Sequence, residues 1–228
     1  MRRSGGRLIL DAPWGAELED VPHLSVLPRG SGDATFTLRL GRGVRFAHGV
    51  SIEVWAGGTN VLEIGDFGDF SQCKLQLRSG SIRARDHVQV RDFSVLKSYG
   101  DLFLGSRVVV NYMTALHCEE SVVLDDLVGM AERVTIVDTD KLLFAGDDYF
   151  NDRHSRIGPV SIGRNTYVGT GVVITRGARI GRNSAVAANA VVTGGEYPDG
   201  HVLGGIPAKL LKALPPPDPE QDQAPPAG

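Results

Sequence analysis

Hallmarks of metal, disulfide, membrane or nucleic-acid-binding proteins are scarce in this chain of 228 residues. Its two cysteines, Cys73 and Cys118, have neither metal-ligand spacing nor a partner set for a disulfide framework, which favours a reducing compartment. The net charge of -3 supplies no basic stripe for binding nucleic acid. No apolar run has the length of a membrane span or a signal peptide, so we expect a cytoplasmic protein without membrane insertion.

Aromatic residues are also few, at 7%, whereas glycine is abundant, with 29 residues. Many small residues and few rings suit tight, repeated turns better than a bundle of helices. The last segment, 215–228, is rich in proline and polar residues, and this composition predicts a disordered tail.

Branched aliphatic residues recur at every sixth position in the second half of the chain. Period six fits neither a helix stripe at 3.6 nor a strand at 2, but it fits a coil with three short sides and one inward aliphatic per side. Evenly spaced strands of a β-sandwich are the alternative, which an unbroken series disfavours. The longest series is Ile162, Val168, Ile174, Ile180, Val186 and Val192, and shorter ones are Leu104, Val110, Leu116 and Leu124, Met130, Ile136.

This register predicts an all-β protein, a parallel β-helix of about seven coils over residues 40–194. One interval, 138–159, is too long by about a full turn and is expected to leave the prism as a functional loop. Residues 1–39 are expected to cap the first coil. A C-terminal segment, 195–214, follows the last coil, and a short helix is predicted to begin at Pro207.

Two C-terminal stretches carry a family resemblance: IGRNTYVGTGVVITRGARIGRNSAVAANAVVTGG from Ile162, and HVLGGIPAKLLK from His201. They resemble the sugar O-acetyltransferases, hexapeptide-repeat acyltransferases that include the maltose and galactoside enzymes. The likeness covers 102–212, and GGIPAK is its most specific motif. It implies a left-handed β-helix and a homotrimer with active sites between neighbouring prisms. It also implies acetyl-CoA or another acyl-CoA as co-substrate. Three histidines with the spacing of a zinc hydratase are absent, so no metal is expected.

The resemblance further implies a coenzyme A groove. Backbone groups near Thr170 and Ala188 would hold the pantetheine arm, and small residues would let that arm approach the backbone closely. Lys209 and Lys212 would meet the nucleotide phosphates, although a solvated helix face is the alternative for both. Gly194 replaces a lysine that is common in the family. The full predicted set is Tyr167, Gly169, Thr170, Ala188, Thr193, Lys209 and Lys212.

The catalytic end departs from the family pattern. Lys141 occupies the position of the general-base histidine, and Met113 replaces an asparagine of the sugar-binding turn, while Glu119 keeps an acidic residue. Transfer to a hydroxyl needs a base at neutral pH, which an imidazole supplies well. Flanked by Asp138 and Asp140, Lys141 is expected to stay protonated and to bind the acceptor rather than to take its proton.

Two other histidines are candidates for the base. His154, within the loop, is the first choice, and His117, beside Glu119, is the second; either is also explained as an ordinary polar turn residue. The loop has mixed character and is either a cradle for a cationic or amino-sugar acceptor or a solvated acidic loop. Its residues are Asp138, Asp140, Asp147, Asp148 and Asp152, with Lys141, Arg153, Arg156, Phe144, Tyr149 and Phe150.

The sequence thus predicts an acyl-CoA-dependent transferase that acylates a hydroxyl or amine of a sugar-like small molecule. The alternative is a non-catalytic hexapeptide-repeat trimer that has lost its base. Lys141 and Met113 favour the alternative, whereas the preserved GGIPAK stretch and the groove of small residues favour the enzyme.

Overall fold

The computed structural model describes residues 6–12, 22–27, 34–147, 149 and 154–216. Strands and turns make up all of these residues. Within this part of the chain, no helix is long and apolar enough to cross a membrane. The tail predicted for 215–228 lies outside the described residues from 217 onward.

Twenty-eight strands follow one another along the chain. They are β1 (Gly6–Asp11), β2 (His23–Leu27), β3 (Ala34–Leu40), β4 (Arg45–Phe46), β5 (Ser51–Trp55), β6 (Gly58–Ile64), β7 (Asp69–Phe70), β8 (Lys74–Leu77), β9 (Ser81–Ala84), β10 (Gln89–Val90), β11 (Val95–Ser98), β12 (Asp101–Leu104), β13 (Val109–Val110), β14 (Ala115–Cys118), β15 (Ser121–Leu124), β16 (Gly129–Met130), β17 (Thr135–Val137), β18 (Thr139–Lys141), β19 (Ser155–Ile157), β20 (Val160–Ile162), β21 (Tyr167–Val168), β22 (Val173–Ile174), β23 (Ala178–Ile180), β24 (Ala185–Val186), β25 (Val191–Val192), β26 (Gly195–Tyr197), β27 (His201–Gly205) and β28 (Ala208–Ala213).

Three long sheets form the sides of a prism, and successive coils add strands to each. Sheet 1 has the order β1-β3-β6-β9-β12-β15-β20-β23-β26, sheet 2 runs β4-β7-β10-β13-β16-β21-β24-β27-β28, and sheet 3 runs β2-β5-β8-β11-β14-β17-β22-β25. Their pairings are parallel except for β27 with β28. The fold is therefore the predicted left-handed parallel β-helix, with about eight coils rather than seven. The segment predicted to cap it contributes β1, β2 and β3 to sheets 1 and 3.

The inward residues form columns of branched aliphatics through the core. On sheet 1, Ile82, Leu102 and Val122 pair in register across three coils and are fully buried. Each such side chain contributes roughly 1.5–3 kcal/mol by leaving water. Outward positions alternate with these buried ones, so polar and charged side chains form columns on the surface.

The chain length around the prism varies mainly at one edge. Between residues 82 and 192, every passage from sheet 1 to sheet 2, and from sheet 2 to sheet 3, has a constant length. The return from sheet 3 to sheet 1 takes six residues from Leu116 to Val122 but only four from Ile174 to Ala178. We call the turns from sheet 3 to sheet 1 the variable edge.

The long interval between Ile136 and Val160 leaves the prism at the variable edge. It contains an antiparallel hairpin, in which β18 pairs with β19. The coil that follows resumes the stacking, since Val160 pairs with Val122. The stretch predicted as a loop, 138–159, thus includes two strands of its own.

The C-terminal helix predicted from Pro207 is absent, and a strand takes its place. β28 folds back antiparallel onto β27, with Lys209 opposite Gly204 and Lys212 opposite Val202. The last coil of a β-helix exposes backbone N–H and C=O groups that require partners. β28 satisfies those of β27, which explains why a strand forms at this position.

We predict that Gly163→Ala destabilises the fold far more than Gly129→Ala. A Cβ on Gly163 would lie 2.6 Å from the backbone N of Arg182 in the next coil, whereas on Gly129 it would only touch the Tyr167 ring at 3.8 Å. Overpacking against backbone typically costs about 1–3 kcal/mol. Urea unfolding of both variants checks this, and equal midpoints would contradict the importance of close coil stacking at Gly163.

Candidate active site

A histidine–glutamate pair lies on the outer surface of sheet 3, next to the variable edge. In β14, Leu116 and Cys118 point into the core, so the alternation turns His117 outward. His117 Nε2 lies 3.2 Å from Glu119 Oε1, and the two side chains are 30% and 29% exposed. The Tyr99 ring from the preceding coil stands edge-on to the imidazole at 5.6 Å between centroids. The pair is therefore held in place while remaining open to solvent.

Asp138 stabilises the turn that carries Glu119 from inside the fold. Its side chain is fully buried, and its carboxylate accepts hydrogen bonds from the backbone N–H groups of Glu119, Glu120 and Ser121 at 2.7, 2.8 and 2.9 Å. Three such bonds satisfy a buried carboxylate that would otherwise be very unfavourable. Asp138 was predicted to face the acceptor, but its burial instead makes it the support of the turn that carries Glu119.

The hairpin is fastened to the prism by an arginine clamp. Asp140 accepts hydrogen bonds from Arg156 at 2.9 Å, across the hairpin, and from Arg176 at 2.8 Å, in the next coil. Partial burial acts to raise the pKa of Asp140, but the hydrogen bonds and charges of both arginines outweigh it and hold that pKa below its ordinary value. Asp140 is thus neutralised by two cations, which weakens the prediction of an acidic cradle.

The remaining residues of the predicted cradle are spread over the hairpin. Lys141 pairs with Ser155 across the two strands and is partly exposed. His154 is exposed just before β19, and its carbonyl accepts a hydrogen bond from the N–H of Leu142 at 2.9 Å. Phe144, Asp147 and Tyr149 are exposed. The residues Asp148, Phe150, Asp152 and Arg153 lie outside the described part of the chain.

An open cleft of about 570 Å³ lies between the hairpin and the next coils. Sheet 3 connects this cleft to the histidine–glutamate pair. One outward column of the sheet contains His117, Val137, Thr175 and Thr193, and the last two line the cleft. Coils are about 4.8 Å apart, so His117 and Thr193 are separated by roughly 14 Å. The cleft is lined by Asp140, Thr175, Arg176, Gly177, Thr193, Gly194 and Gly195.

Several residues of the predicted coenzyme A groove lie on another edge, between sheets 2 and 3. Thr170 is partly exposed and donates its hydroxyl to the carbonyl of Glu132 at 3.0 Å, while Ala188 is exposed in the next coil. Gly169 is buried, and a Cβ there would lie 2.7 Å from the backbone N of Ala188. The absence of a side chain at Gly169 is thus required by coil stacking itself.

Three other residues of that groove, Tyr167, Lys209 and Lys212, lie on sheet 2 and its C-terminal end. Tyr167 is 56% exposed and borders a cleft of about 640 Å³. Lys209 and Lys212 are exposed on β28, so the alternative of a helix face does not apply. The cleft is lined by Asn165, Tyr167, Asn183, Ser184, Ala185, Gly200, Leu214, Pro215 and Pro216.

The predicted site residues therefore form two groups on a single prism. Met113, which is 57% exposed, lies at the edge that carries Thr170 and Ala188, at a corner with φ 58°. His117 follows four residues later along the strand, roughly 13 Å away. The histidine–glutamate pair consequently lies at the opposite edge of sheet 3 from Thr170 and Ala188. Thr193, also predicted for the coenzyme A groove, instead lines the cleft beside the hairpin.

Sequence reasoning missed three residues that the structure places at this site. Lys97 pairs directly with His117, Tyr99 contacts the imidazole, and Arg176 clamps the hairpin. The first two precede His117 and Glu119 by twenty residues, which is the coil length here, as the pairing of Leu102 with Val122 shows. A search of the sequence at a spacing of twenty residues, rather than six, would have found Lys97 and Tyr99.

Comparison with known proteins agrees with this architecture. Residues 155–194 match the family model of the bacterial transferase hexapeptide (six repeats), which confirms the predicted repeat over that stretch. No curated protein sequence matches the chain. The maltose and galactoside branch inferred from the motifs stays a prediction.

Solved structures share the fold at low sequence identity. The polySia-specific acetyltransferase NeuO is 18% identical, with a TM-score of 0.64, and the match covers 86% of this chain and 84% of NeuO. A point mutant of AntD, an N-acyltransferase from Bacillus cereus, in complex with dTDP-4-amino-4,6-dideoxyglucose and coenzyme A, is 19% identical with a TM-score of 0.54. That match covers 66% of this chain and 86% of AntD, and at such identities the likeness establishes the fold.

We predict that Asp138→Asn lowers the free energy of unfolding by about 3 kcal/mol, because an amide NH2 group would face backbone N–H donors inside the fold. Asp140→Asn, at an exposed position, should change it by less than about 1 kcal/mol. Chemical denaturation of both variants provides the measurement. A smaller effect at Asp138 than at Asp140 would show that the buried carboxylate does not organise the turn.

Proposed function

We propose that this protein transfers an acyl group from acyl-CoA, most simply acetyl-CoA, to a hydroxyl or amine of a sugar-like acceptor. The observation that carries the proposal is the contact of 3.2 Å between His117 and Glu119 on an open face of the prism. A base oriented by a carboxylate is the arrangement that acyl transfer to a hydroxyl requires. The likeness to acyltransferases that share this fold supports the same reaction class.

The proposed mechanism assigns one task to each member of the pair. With its Nε2–H donated to the Glu119 carboxylate, the neutral imidazole presents the Nδ1 lone pair to the acceptor. Nδ1 takes the acceptor's proton as its oxygen or nitrogen forms the new bond to the thioester carbonyl carbon. The carbon–sulfur bond then breaks, and the proton passes to the departing thiolate. Glu119 holds the tautomer and stabilises the positive charge that develops on the ring.

His117 is a better candidate than the two alternatives on the hairpin. His154 is exposed, and no described carboxylate lies within ion-pair distance of it. Lys141 is held on β18 beside Asp140, and a lysine side chain serves as a hydrogen-bond donor rather than as an acceptor. We therefore assign the base to His117 and an acceptor-positioning role to Lys141, which departs from the preference for His154 reached from sequence.

The residues available for coenzyme A fit an extended, anionic ligand. Thr170 and Ala188 leave room beside the backbone, Tyr167 borders a cleft, and Lys209 and Lys212 are exposed cations on β28. When bound, acyl-CoA supplies the activated acyl group as a thioester. Because Thr170 and Ala188 lie at the opposite edge of sheet 3 from His117, and Tyr167 and the two lysines lie on sheet 2 and β28, we propose that a neighbouring copy in a homotrimer completes each site.

We predict that His117→Ala lowers the rate of acyl transfer about a hundred- to ten-thousand-fold, the usual effect of removing a general base. Binding of coenzyme A should be unchanged, because His117 is not among the residues proposed to hold its pantetheine arm or its phosphates. His154→Ala is the matched control and should retain most turnover. Thioester cleavage assayed with a panel of hexoses and amino sugars, together with calorimetric titration of coenzyme A, provides the measurements.

Full activity of His117→Ala combined with loss in His154→Ala would refute this assignment. If the parent protein binds coenzyme A but transfers nothing to any acceptor of the panel, the non-catalytic scaffold becomes the better description.

We also predict that the double variant Lys209→Glu, Lys212→Glu weakens coenzyme A binding at least about tenfold, and more strongly at low salt, where charges are least screened. Arg179→Glu with Arg182→Glu changes the net charge equally, on β23 and in the turn that follows it, and serves as the control. Calorimetric titration at two salt concentrations measures both. Equal affinities for the two double variants would show that β28 does not bind the phosphates.

A further inference from the structure

Aromatic and cationic side chains alternate along the variable edge on the N-terminal side of His117. Trp55 ends β5, and Arg78, Tyr99 and Glu119 directly follow the next three strands of sheet 3, so the matching register places the four residues one above the other in successive coils. We call this set the edge ladder. With coils about 4.8 Å apart, it extends roughly 14 Å from Glu119, further than a single sugar ring.

The edge ladder is built around a guanidinium between two rings. The Arg78 guanidinium carbon lies 4.6 Å from the centroid of the Trp55 ring and 5.4 Å from that of Tyr99. The Lys97 ammonium lies 4.6 Å from the Tyr99 ring, whose own edge meets His117. Cation–π contacts of this kind hold the cations in place without using their N–H donors in conventional hydrogen bonds.

Arg78 of the edge ladder and Lys97, which lies beside it on β11, differ from most other cations on this surface. Lys74, Arg45 and Arg83 each contact a carboxylate within 3.0 Å. In the described part of the chain, no acidic group lies within ion-pair distance of Arg78 or Lys97. Their positive charges are thus compensated only by ring faces and remain available to an anion.

The chemistry of the ladder selects among ligands. Trp55 and Tyr99 are only partly exposed, so the ladder is not the apolar patch that a protein partner would cover. The apolar surface of the Trp55 and Tyr99 rings suits the nonpolar face of a pyranose, and the guanidinium fork of Arg78 matches a carboxylate. A ligand that uses both must be a sugar chain with acidic groups, long enough to reach from Trp55 to His117.

We propose that the edge ladder binds an anionic oligosaccharide whose terminal hydroxyl or amine lies at His117. Its sugar rings rest against Trp55 and Tyr99, and its carboxylates pair with Arg78 and Lys97. This assignment rests on the proposed acyl transfer for its reacting end, whereas binding along the ladder does not require the transfer reaction.

The test uses the full chain without coenzyme A and measures binding alone. Tetragalacturonate, with one carboxylate on each ring, is titrated by calorimetry beside neutral cellotetraose and the nucleotide sugar UDP-glucuronate. Trp14→Phe leaves Trp55 as the single tryptophan, whose emission should change on binding. We expect tetragalacturonate to bind, to weaken with added salt, and to bind about tenfold or more weakly to Arg78→Gln.

A matched control comes from a second cation–π pair on another part of the prism. Arg85 lies 5.5 Å from the centroid of the Phe103 ring, so Arg85→Gln removes an equivalent contact away from His117 and should leave binding unchanged. Equal affinity for cellotetraose, an equal loss in both variants, binding of UDP-glucuronate alone, or no binding of any probe would each overturn the proposal.

Thermal shift with coenzyme A is measured on the same samples, because a ligand of the native state raises its stability. If the saccharide binds but coenzyme A does not raise the melting temperature, binding at the edge ladder is supported and the proposed transferase activity is refuted. If coenzyme A raises the melting temperature but no saccharide binds, the transferase proposal is supported and binding at the edge ladder is refuted.

Discussion

Stacking of each coil on the next through parallel backbone hydrogen bonds is the constraint on which the rest of this structure depends. It fixes the spacing of equivalent residues at about 4.8 Å and forces them into columns, inward and outward alike. The inward columns become an aliphatic core, as with Ile82, Leu102 and Val122. The outward columns bring together residues about one coil apart in sequence, so Asp69 meets Arg45 and Arg91 from its neighbouring coils, and His117 meets Lys97.

The fold could be predicted from the sequence because the inward columns leave a trace at every sixth residue. The C-terminal strand could not, because β28 pairs antiparallel with β27 and follows no period. Leu210 and Leu211 are compatible with a helix or a strand, and the unpaired edge of the last coil decides between them. Gly169 illustrates a different limit: its small size suggested room for a ligand, but the backbone of Ala188 occupies that space.

The candidate site was predictable in its residues but not in its arrangement. His117 and Glu119 stood out as a close histidine–acid pair, yet the sequence favoured His154 because it lies on the long excursion. What the sequence could not reveal is that Asp138, at the root of that excursion, is buried beneath Glu119 and holds its turn. Because Asp138 is buried in the folded chain, it stabilises the turn that carries Glu119 and does not face an acceptor.

The variable edge explains why these functional features gather where they do. A change of length between sheets 1 and 2, or 2 and 3, would shift a whole face of the prism out of register, and a shift by one residue would turn its core side chains outward. The return from sheet 3 to sheet 1 accommodates such changes by a wider or narrower turn. Its length is six residues after Leu116 and four after Ile174. The extra residues there carry Tyr99 and Glu119, and the longest insertion forms the hairpin. The edge free to vary in length is thus the edge on which binding groups can be added while the core remains unchanged.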